Sequence, residues 1–138
     1  SAMQPETFSY DFSDCPDIAQ TLAVVCAAKK VKAELTGLKT LRVKETDRIL
    51  ALQNELLKFN IRTETEGNEK LRIFSETADF AKAGIEIETY EDHRMAMSFA
   101  PLAFLYPNLI IKEPKVVEKS YPSFWEDLKM FGFEVKEV

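Results

Sequence analysis

The chain repeats one order of predicted secondary structure, and this repetition limits its fold more than any other feature. The first half reads strand, helix, strand, helix, strand, strand, and the second half reads strand, helix, strand, helix, strand. Asp17 and Asp92 each open the first helix of a unit and are 75 positions apart. Lys44 and Lys119 precede the second helix of each unit at the same offset of 75. Such self-similarity predicts two copies of one βαβαβ(β) unit and therefore an α+β fold.

The size and charge of the chain exclude several classes of function. Its 138 residues, 46% of them hydrophobic, suffice for one domain or for two small units that share a core. The net charge of −5 argues against broad binding to nucleic acid or to an anionic membrane. No apolar run approaches the ~20 residues that span a bilayer, and we see no signal peptide. We therefore expect a cytoplasmic protein with neither nucleic acid nor membrane as a partner.

The two cysteines and the first three residues bear on the compartment of the protein and on whether the chain is a piece of a longer one. Cys15 and Cys26 have no metal-ligand neighbours, so no metal site is expected, and they weakly indicate a reducing compartment. Residues 1–3, Ser-Ala-Met, resemble a tag remnant before an internal start. This pattern suggests a piece of a longer protein.

Hydrophobic periodicity places strands and helices along both units. In the first unit it predicts helices at 18–30 and 49–59 and strands at 8–12, 31–35, 61–65 and 71–74. In the second unit it predicts strands at 85–89, 109–112 and 133–135. Residues 41–43 read as a strand-like run, and Gly67-Asn68 reads as a hairpin turn.

Capping residues mark the helix starts. Ser13 or Asp14 is expected to cap the first helix, and Asp92 is expected to cap the third. Ser123 with Glu126 forms the S-x-x-E pattern of a capping box, which opens the last helix.

Four consecutive polar residues and an arginine, at 44–48, lie where the second helix begins. On a helix Lys44 and Arg48 would share one face, with Glu45 three residues before Arg48. A helix start favours anions, and a glutamate among cations is a candidate for proton transfer. The alternative is a solvated first turn with ordinary surface ion pairs. The repeat favours function, because charged helix starts from both units can converge on one site.

The other candidate residues are less specific when taken singly. Arg94 can bind a carboxylate or phosphate through two parallel hydrogen bonds. His93, the single histidine, is equally well explained as a structural residue at a helix start. Lys119 alone reads as a surface lysine, and Asp17 alone reads as a first-turn carboxylate.

Four segments together resemble a known family. They read CPDIAQTLA at 15–23, LRVKETDR at 41–48, DHRMAM at 92–97 and KSYP at 119–122. They are similar to the successive signatures of the 5-enolpyruvylshikimate-3-phosphate synthase family, occur in its order and cover most of the chain. The KETDR and DHRMAM blocks are specific. Thr40, where some members carry an asparagine that contacts substrate, departs from the pattern, as does Pro101 on the packing side.

The resemblance implies the enolpyruvyl transferase fold, an inside-out α/β barrel of two domains, each built from three βαβαββ units. The chain would be the C-terminal part of the second domain, about two units at approximately 7–75 and 85–138. The missing N-terminal domain of the same longer chain would be its structural partner, and the full-length protein would be a monomer.

The resemblance also implies an activity. The family transfers the enolpyruvyl group of phosphoenolpyruvate to the 5-hydroxyl of shikimate 3-phosphate and releases phosphate, in the pathway to chorismate and the aromatic amino acids. It uses no metal and no organic cofactor, and glyphosate is an expected inhibitor. The chain alone should be inactive, because one lobe cannot close over the substrates and expel water.

Site residues follow from the matched motifs. By resemblance, Asp17 takes the 5-hydroxyl proton and, with Lys44, contacts shikimate 3-phosphate. Glu45 serves proton transfer at the methylene of phosphoenolpyruvate, and His93 supports Glu45 or the intermediate. The cations that hold phosphoenolpyruvate would be Arg48, Arg94 and Lys119.

Two alternatives stay open. A non-catalytic anion-binding module could use the same repeat, although anion binding has no need of Asp17 and Glu45. UDP-N-acetylglucosamine enolpyruvyl transferase shares the fold, although the two specific blocks fit the shikimate enzyme better.

Overall fold

A four-stranded sheet organises the first half of the protein in the computed structural model, which describes residues 7–138. The strands follow the order β1-β2-β4-β3, where β1 is Thr7–Asp11, β2 is Lys32–Thr36, β3 is Arg62–Glu66 and β4 is Lys70–Phe74. β1 and β2 are parallel, whereas β2 with β4 and β3 with β4 are antiparallel. The parallel pair requires a crossover helix, and the antiparallel pair β3–β4 is the predicted hairpin.

Two helices pack on this sheet and on each other. α1, Ala19–Ala28, contacts β2, and α2, Arg48–Leu57, contacts β3. Every second residue of β2 and β4 is buried, which gives the sheet one apolar face made of Ala33, Leu35, Leu71 and Ile73. The buried side chains of α2 follow the predicted helical spacing, with Ile49, Leu52 and Leu56 in the core. Asp47 caps α2 by accepting a hydrogen bond from the Leu50 N–H at 3.1 Å.

The second half repeats the βαβ arrangement on a smaller scale. β5, Glu86–Ile87, and β6, Ile110–Ile111, are parallel and are connected through α3, His93–Phe99. α4, Phe124–Met130, follows. Helix α3 ends at a 3-10 helix, Ala100–Phe104, because the proline at position 101 cannot continue the α-helical hydrogen bonding.

The two units share one hydrophobic core. α3 contacts both α1 and α2. Met95 and Phe99 are buried in the same cluster as Leu35 and Phe59 of the first unit. The side-chain amide of Gln20 lies 3.0 Å from the sulfur of Met95, so residues 75 positions apart meet at this interface.

Two predicted strands are wrong. Lys39–Val43 is a 3-10 helix, in which the Leu41 N–H donates to the Leu38 carbonyl at 2.9 Å and Leu41 enters the core. Residues 133–135 form no strand; the ring of Phe133 instead packs on Phe104, with centroids 4.4 Å apart. Between residues 85 and 138, the second unit therefore has no counterpart of the β3–β4 hairpin.

Two predicted caps are also wrong, whereas the cap at Asp92 is confirmed. Asp92 accepts a hydrogen bond from the Arg94 N–H at 2.9 Å. A 3-10 turn, Pro16–Ile18, precedes α1, and the hydroxyl of Ser13 donates to Asp11 at 2.6 Å instead of capping. Ser123 makes no capping hydrogen bond, because its hydroxyl turns to Asp127 at 3.2 Å.

Candidate active site

Arg48, the first residue of α2, is the centre of a charged cluster. Its side chain is only 3% exposed. Its Nε and Nη2 donate to the two carboxylate oxygens of Asp92 at 2.7 and 3.0 Å, a bidentate arrangement. Nη2 also donates to Glu45 at 2.5 Å, and Nη1 donates to Asp17 at 3.3 Å. Four of the five N–H donors of this guanidinium therefore have carboxylate partners.

The apolar face of α2 explains how a cation comes to lie so deep. Arg48 immediately precedes Ile49, which is 1% exposed, and the cap at Asp47 fixes where the helix begins. The burial of Ile49 draws the first turn into the core, and Arg48 enters with it. A buried guanidinium without partners would be very costly, so the three carboxylates around it are a condition of this packing.

Lys44 joins the cluster from a loop and not from the helix. Its backbone is extended, with φ −95° and ψ −153°, and α2 begins four residues later at Arg48. The expected shared helical face of Lys44 and Arg48 is therefore wrong. The two cations meet instead through Asp17, whose Oδ1 lies 3.8 Å from Lys44 Nζ and 3.3 Å from Arg48 Nη1. With Glu45 and Asp92, three carboxylates face two cations.

Glu45 is ionised by its surroundings. Its side chain is 48% exposed. The pKa of Glu45 is lowered from 4.5, chiefly because its own backbone N–H donates a hydrogen bond to the carboxylate. Partial burial opposes this shift, and the charges of Arg48, His93 and Lys44 lower the pKa further. Glu45 is consequently a proton acceptor in this state.

The second unit contributes Asp92 and His93 to the cluster. The Nδ1 atom of His93 lies 3.9 Å from Asp92, and the imidazole is 17% exposed. Asp92 is completely buried. The sequence predicts Asp92 as a helix cap, and its offset of 75 from Asp17 places it among the charged helix starts that can converge on one site; the buried ion pair with Arg48 was not predicted.

Arg94 and Lys119 lie outside this network. The backbone N–H of Arg94 is bound to Asp92, but its guanidinium forms no ion pair with any residue in 7–138. Lys119 is exposed in the turn after the 3-10 helix Pro114–Val117, and its ammonium likewise has no carboxylate within ion-pair distance among those residues. The structure thus brings together Asp17, Lys44, Glu45, Arg48 and His93, and leaves two predicted cations apart.

Three further features of residues 7–138 bear on the kind of site. No group of three or more His, Cys, Asp or Glu side chains in this range is arranged to hold a metal ion. No helix there has the length and apolar character needed to cross a membrane. Cys15 and Cys26 are both free thiols, and burial raises the pKa of Cys26.

The architecture is that of the enolpyruvyl transferases. A solved structure of EPSP synthase from Acinetobacter baumannii matches the fold with a TM-score of 0.64 at 29% sequence identity. The match covers 86% of this chain and 28% of that chain. The α+β assignment and the enolpyruvyl transferase fold are thereby confirmed.

The chain belongs to the EPSP synthase (3-phosphoshikimate 1-carboxyvinyltransferase) family, whose sequence profile matches residues 2–128. It is 46% identical over 131 residues to a 3-phosphoshikimate 1-carboxyvinyltransferase of Bacteroides fragilis (strain YCH46), covering 95% of this chain and 32% of the relative. A protein of the same name from Methanospirillum hungatei JF-1 is 41% identical over 119 residues, 86% of this chain and 26% of the relative. The chain therefore spans between about a quarter and a third of the length of these relatives. The match favours this family over UDP-N-acetylglucosamine enolpyruvyl transferase.

Proposed function

We propose that this chain forms part of the active site of a 3-phosphoshikimate 1-carboxyvinyltransferase. The reaction moves the enolpyruvyl group of phosphoenolpyruvate to the 5-hydroxyl of shikimate 3-phosphate and releases phosphate. The observation that carries the proposal is the contact of the two repeats at Arg48, whose guanidinium binds Asp17 and Glu45 of the first unit and Asp92 of the second. A buried guanidinium beside a half-exposed Asp17 and Glu45 suits a reaction that needs anion binding and proton transfer together.

The chain would then be the C-terminal part of the second enolpyruvyl transferase domain, with units at approximately 7–75 and 85–138. Its share of about 32% of the relative from B. fragilis supports this assignment. The remaining polypeptide would supply the opposite wall of the site, so the chain alone would not turn over substrate. The complete protein would be a cytoplasmic monomer, in keeping with the two free thiols.

Asp17 and Lys44 would bind shikimate 3-phosphate. The side chain of Asp17 is 46% exposed, so one face of its carboxylate is open to a substrate hydroxyl. In this role Asp17 would accept the 5-hydroxyl proton while Lys44 and Arg48 hold its Oδ1 atom. Lys44, one-third exposed, would turn its ammonium towards the substrate.

Glu45 would move protons at the methylene of phosphoenolpyruvate. Its carboxylate is ionised at neutral pH and can accept a proton in the elimination step, although its lowered pKa makes it a weaker base than an ordinary glutamate. The addition step needs a proton donor, so Glu45 would first have to gain a proton. His93, beside the cluster, would support that exchange or stabilise the intermediate.

Arg48, Arg94 and Lys119 would hold phosphoenolpyruvate. The cluster around Arg48 already has three carboxylates for two cations, so a further anion binds there only with additional positive charge. Arg94 and Lys119, whose charges are unpaired among residues 7–138, would supply the positive charge that the phosphate and carboxylate require. In this arrangement Arg48 would orient the ligand while the other two neutralise it.

A chimera tests the proposal. The last third of the B. fragilis enzyme is replaced by this chain, and the product is assayed for phosphate release from phosphoenolpyruvate with shikimate 3-phosphate. We expect turnover in the chimera and a loss of about 100-fold or more in Glu45→Gln, since general acid–base catalysis contributes 10²–10⁴-fold. The matched control is Glu118→Gln, an exposed carboxylate outside the cluster, which should keep full activity. A folded chimera without turnover would contradict the proposal.

Titration calorimetry on the same chimera distinguishes the transferase from a non-catalytic anion-binding module. Arg94→Ala should weaken phosphoenolpyruvate binding, and glyphosate, which also carries a carboxylate and a phosphorus oxyanion, should displace the ligand. Glu45→Gln should still bind while it fails to turn over. Equal turnover of Glu45→Gln and the parent would mean that the carboxylate has no part in catalysis.

A further inference from the structure

A buried carboxylate outside the charged cluster joins the two units. Glu55 lies two turns after Arg48 on α2, and its side chain is 1% exposed. Its Oε1 accepts hydrogen bonds from Lys58 Nζ at 2.6 Å and from the Glu88 N–H at 2.9 Å. Its Oε2 accepts from the hydroxyl of Tyr90 at 2.6 Å. The carboxylate thus has three donors, one at the C-terminal end of α2 and two in the segment after β5. These hydrogen bonds satisfy it in spite of its burial.

Lys58 extends this attachment along the second unit. Its ammonium also donates to the carbonyl of Glu86 at 2.7 Å. Helix α2 therefore holds residues 86, 88 and 90 in turn, through one carboxylate and one ammonium. Burial raises the pKa of Tyr90 to about 12, with the hydrogen bond to Glu55 adding to the effect, so the hydroxyl stays protonated and donates.

The segment that Glu55 holds leads directly into the charged cluster. Tyr90 and Glu91 both have left-handed backbones, with φ of 53° and 56°, and the next residue is Asp92. Two successive L-residues adopt this conformation only where their surroundings enforce it. Helix α2 thus contacts the second unit at two levels, roughly 10 Å apart along its axis: Arg48 on Asp92, and Glu55 on Tyr90.

We propose that Glu55 is a positioning residue of the active site: by holding Tyr90 it fixes the backbone that presents Asp92 to Arg48. Glu55 itself touches neither substrate nor any residue that the proposed function places on substrate. Its effect on phosphoenolpyruvate rests on that function, whereas its effect on the Arg48–Asp92 pair is independent of any ligand.

The test compares three variants of the whole 138-residue chain. Tyr90→Phe removes one hydroxyl and keeps the ring, and Glu55→Gln keeps the shape and removes the charge. Ile73→Val, in the buried face of β4, is the control for a general loss of stability. The readout is solvent exchange of the Arg48 Nε–H proton by NMR without ligand, which reports opening of the hydrogen bond to Asp92. We expect exchange about tenfold faster in Tyr90→Phe and Glu55→Gln and unchanged in Ile73→Val.

Each outcome decides the proposal. An Arg48 Nε–H rate in Tyr90→Phe equal to that of the parent would overturn it, and this variant decides alone if Glu55→Gln does not fold. Equal acceleration in Ile73→Val would also overturn it, since general opening would explain the result. In a parallel titration of the chimera, the Tyr90→Phe variant should bind phosphoenolpyruvate about tenfold more weakly than the parent chimera. Failure of the parent chimera to bind this ligand would contradict the proposed function, while the exchange rates would still test the role of Glu55.

Discussion

The guanidinium of Arg48 and the carboxylate of Asp92 form a buried, bidentate ion pair that joins the two repeated units. The closest contact, Nε to Oδ2, is 2.7 Å, and the two side chains are 3% and 0% exposed. The same carboxylate caps α3 through the Arg94 N–H. One side chain therefore fixes both the start of a helix and the orientation of a cation, so the fold and the site depend on it together.

Asp92→Asn should destabilise the protein by about 3–5 kcal/mol, because it leaves the buried charge of Arg48 without its main partner. Urea denaturation followed by circular dichroism measures this loss. The control is Glu64→Gln, which removes an exposed pair with Arg62 on β3 and should leave the midpoint unchanged. A midpoint for Asp92→Asn equal to that of the parent would show that Arg48 does not depend on this carboxylate.

Glu45 should make stability depend on pH below 4.5. Its pKa in the folded protein is lowered from 4.5, so its contribution is fully present above that value and is lost as the pH falls through the lower folded pKa. The melting temperature of the parent should therefore exceed that of Glu45→Gln at neutral pH, and the difference should shrink below pH 4.5. Glu118→Gln serves as the control. A difference that stays constant down to about pH 3 would mean that the pKa of Glu45 is not lowered in the folded state.

Asp47, which caps α2, and Ser123, the predicted cap of α4, should respond differently to alanine. Asp47→Ala removes the hydrogen bond to the Leu50 N–H and the ion pair with Arg42 at 3.0 Å, and should cost about 1–2 kcal/mol. Ser123→Ala removes no capping hydrogen bond and should cost less than about 0.5 kcal/mol. Thermal unfolding of both variants measures the difference. Equal losses of stability in the two variants would mean that Ser123 does cap the helix, as the capping-box pattern predicts.

Gly37 should be far less tolerant of alanine than Gly67, although both have positive φ. A Cβ at Gly37 would lie 2.4 Å from the backbone nitrogen of Ser13, whereas nothing lies within 4 Å of a Cβ at Gly67. Gly37→Ala should therefore cost about 2–4 kcal/mol, and Gly67→Ala only the backbone strain of about 1–2 kcal/mol. The midpoints of chemical unfolding compare them. Similar midpoints would mean that the loop at Ser13 moves aside freely.

Local pattern was enough to predict most of the first unit. The four strands and two helices there follow from period and turn chemistry, since the residues of β2 and β4 alternate between buried and more exposed positions and α2 has a clear apolar face. The strand predicted at 41–43 is wrong because Leu41 and Val43 alternate like a strand, whereas a local hydrogen bond to Leu38 folds these residues into the 3-10 helix Lys39–Val43.

The site was only partly visible in the sequence. Spacing identified Asp17, Lys44 and Arg48 as charged helix starts, but it could not show that Lys44 reaches Asp17 from an extended loop. Contacts between residues far apart in the sequence could not be predicted either. Arg48 and Asp92 are 44 positions apart, and no local rule marks Glu55 as a buried carboxylate that binds Tyr90.

The occupied donors of Arg48 have a kinetic consequence. Asp92 holds one edge of the guanidinium in the protein interior, and only one N–H of Nη1 has no carboxylate partner among residues 7–138, so an incoming anion can form two hydrogen bonds with Arg48 only where Glu45 or Asp17 now lies. These two side chains are intramolecular competitors for any ligand of that cation. The apparent affinity equals the intrinsic affinity multiplied by the fraction of molecules in which a competitor has left. The rate at which Glu45 or Asp17 leaves therefore sets the upper limit on how fast an anion can form two hydrogen bonds with Arg48.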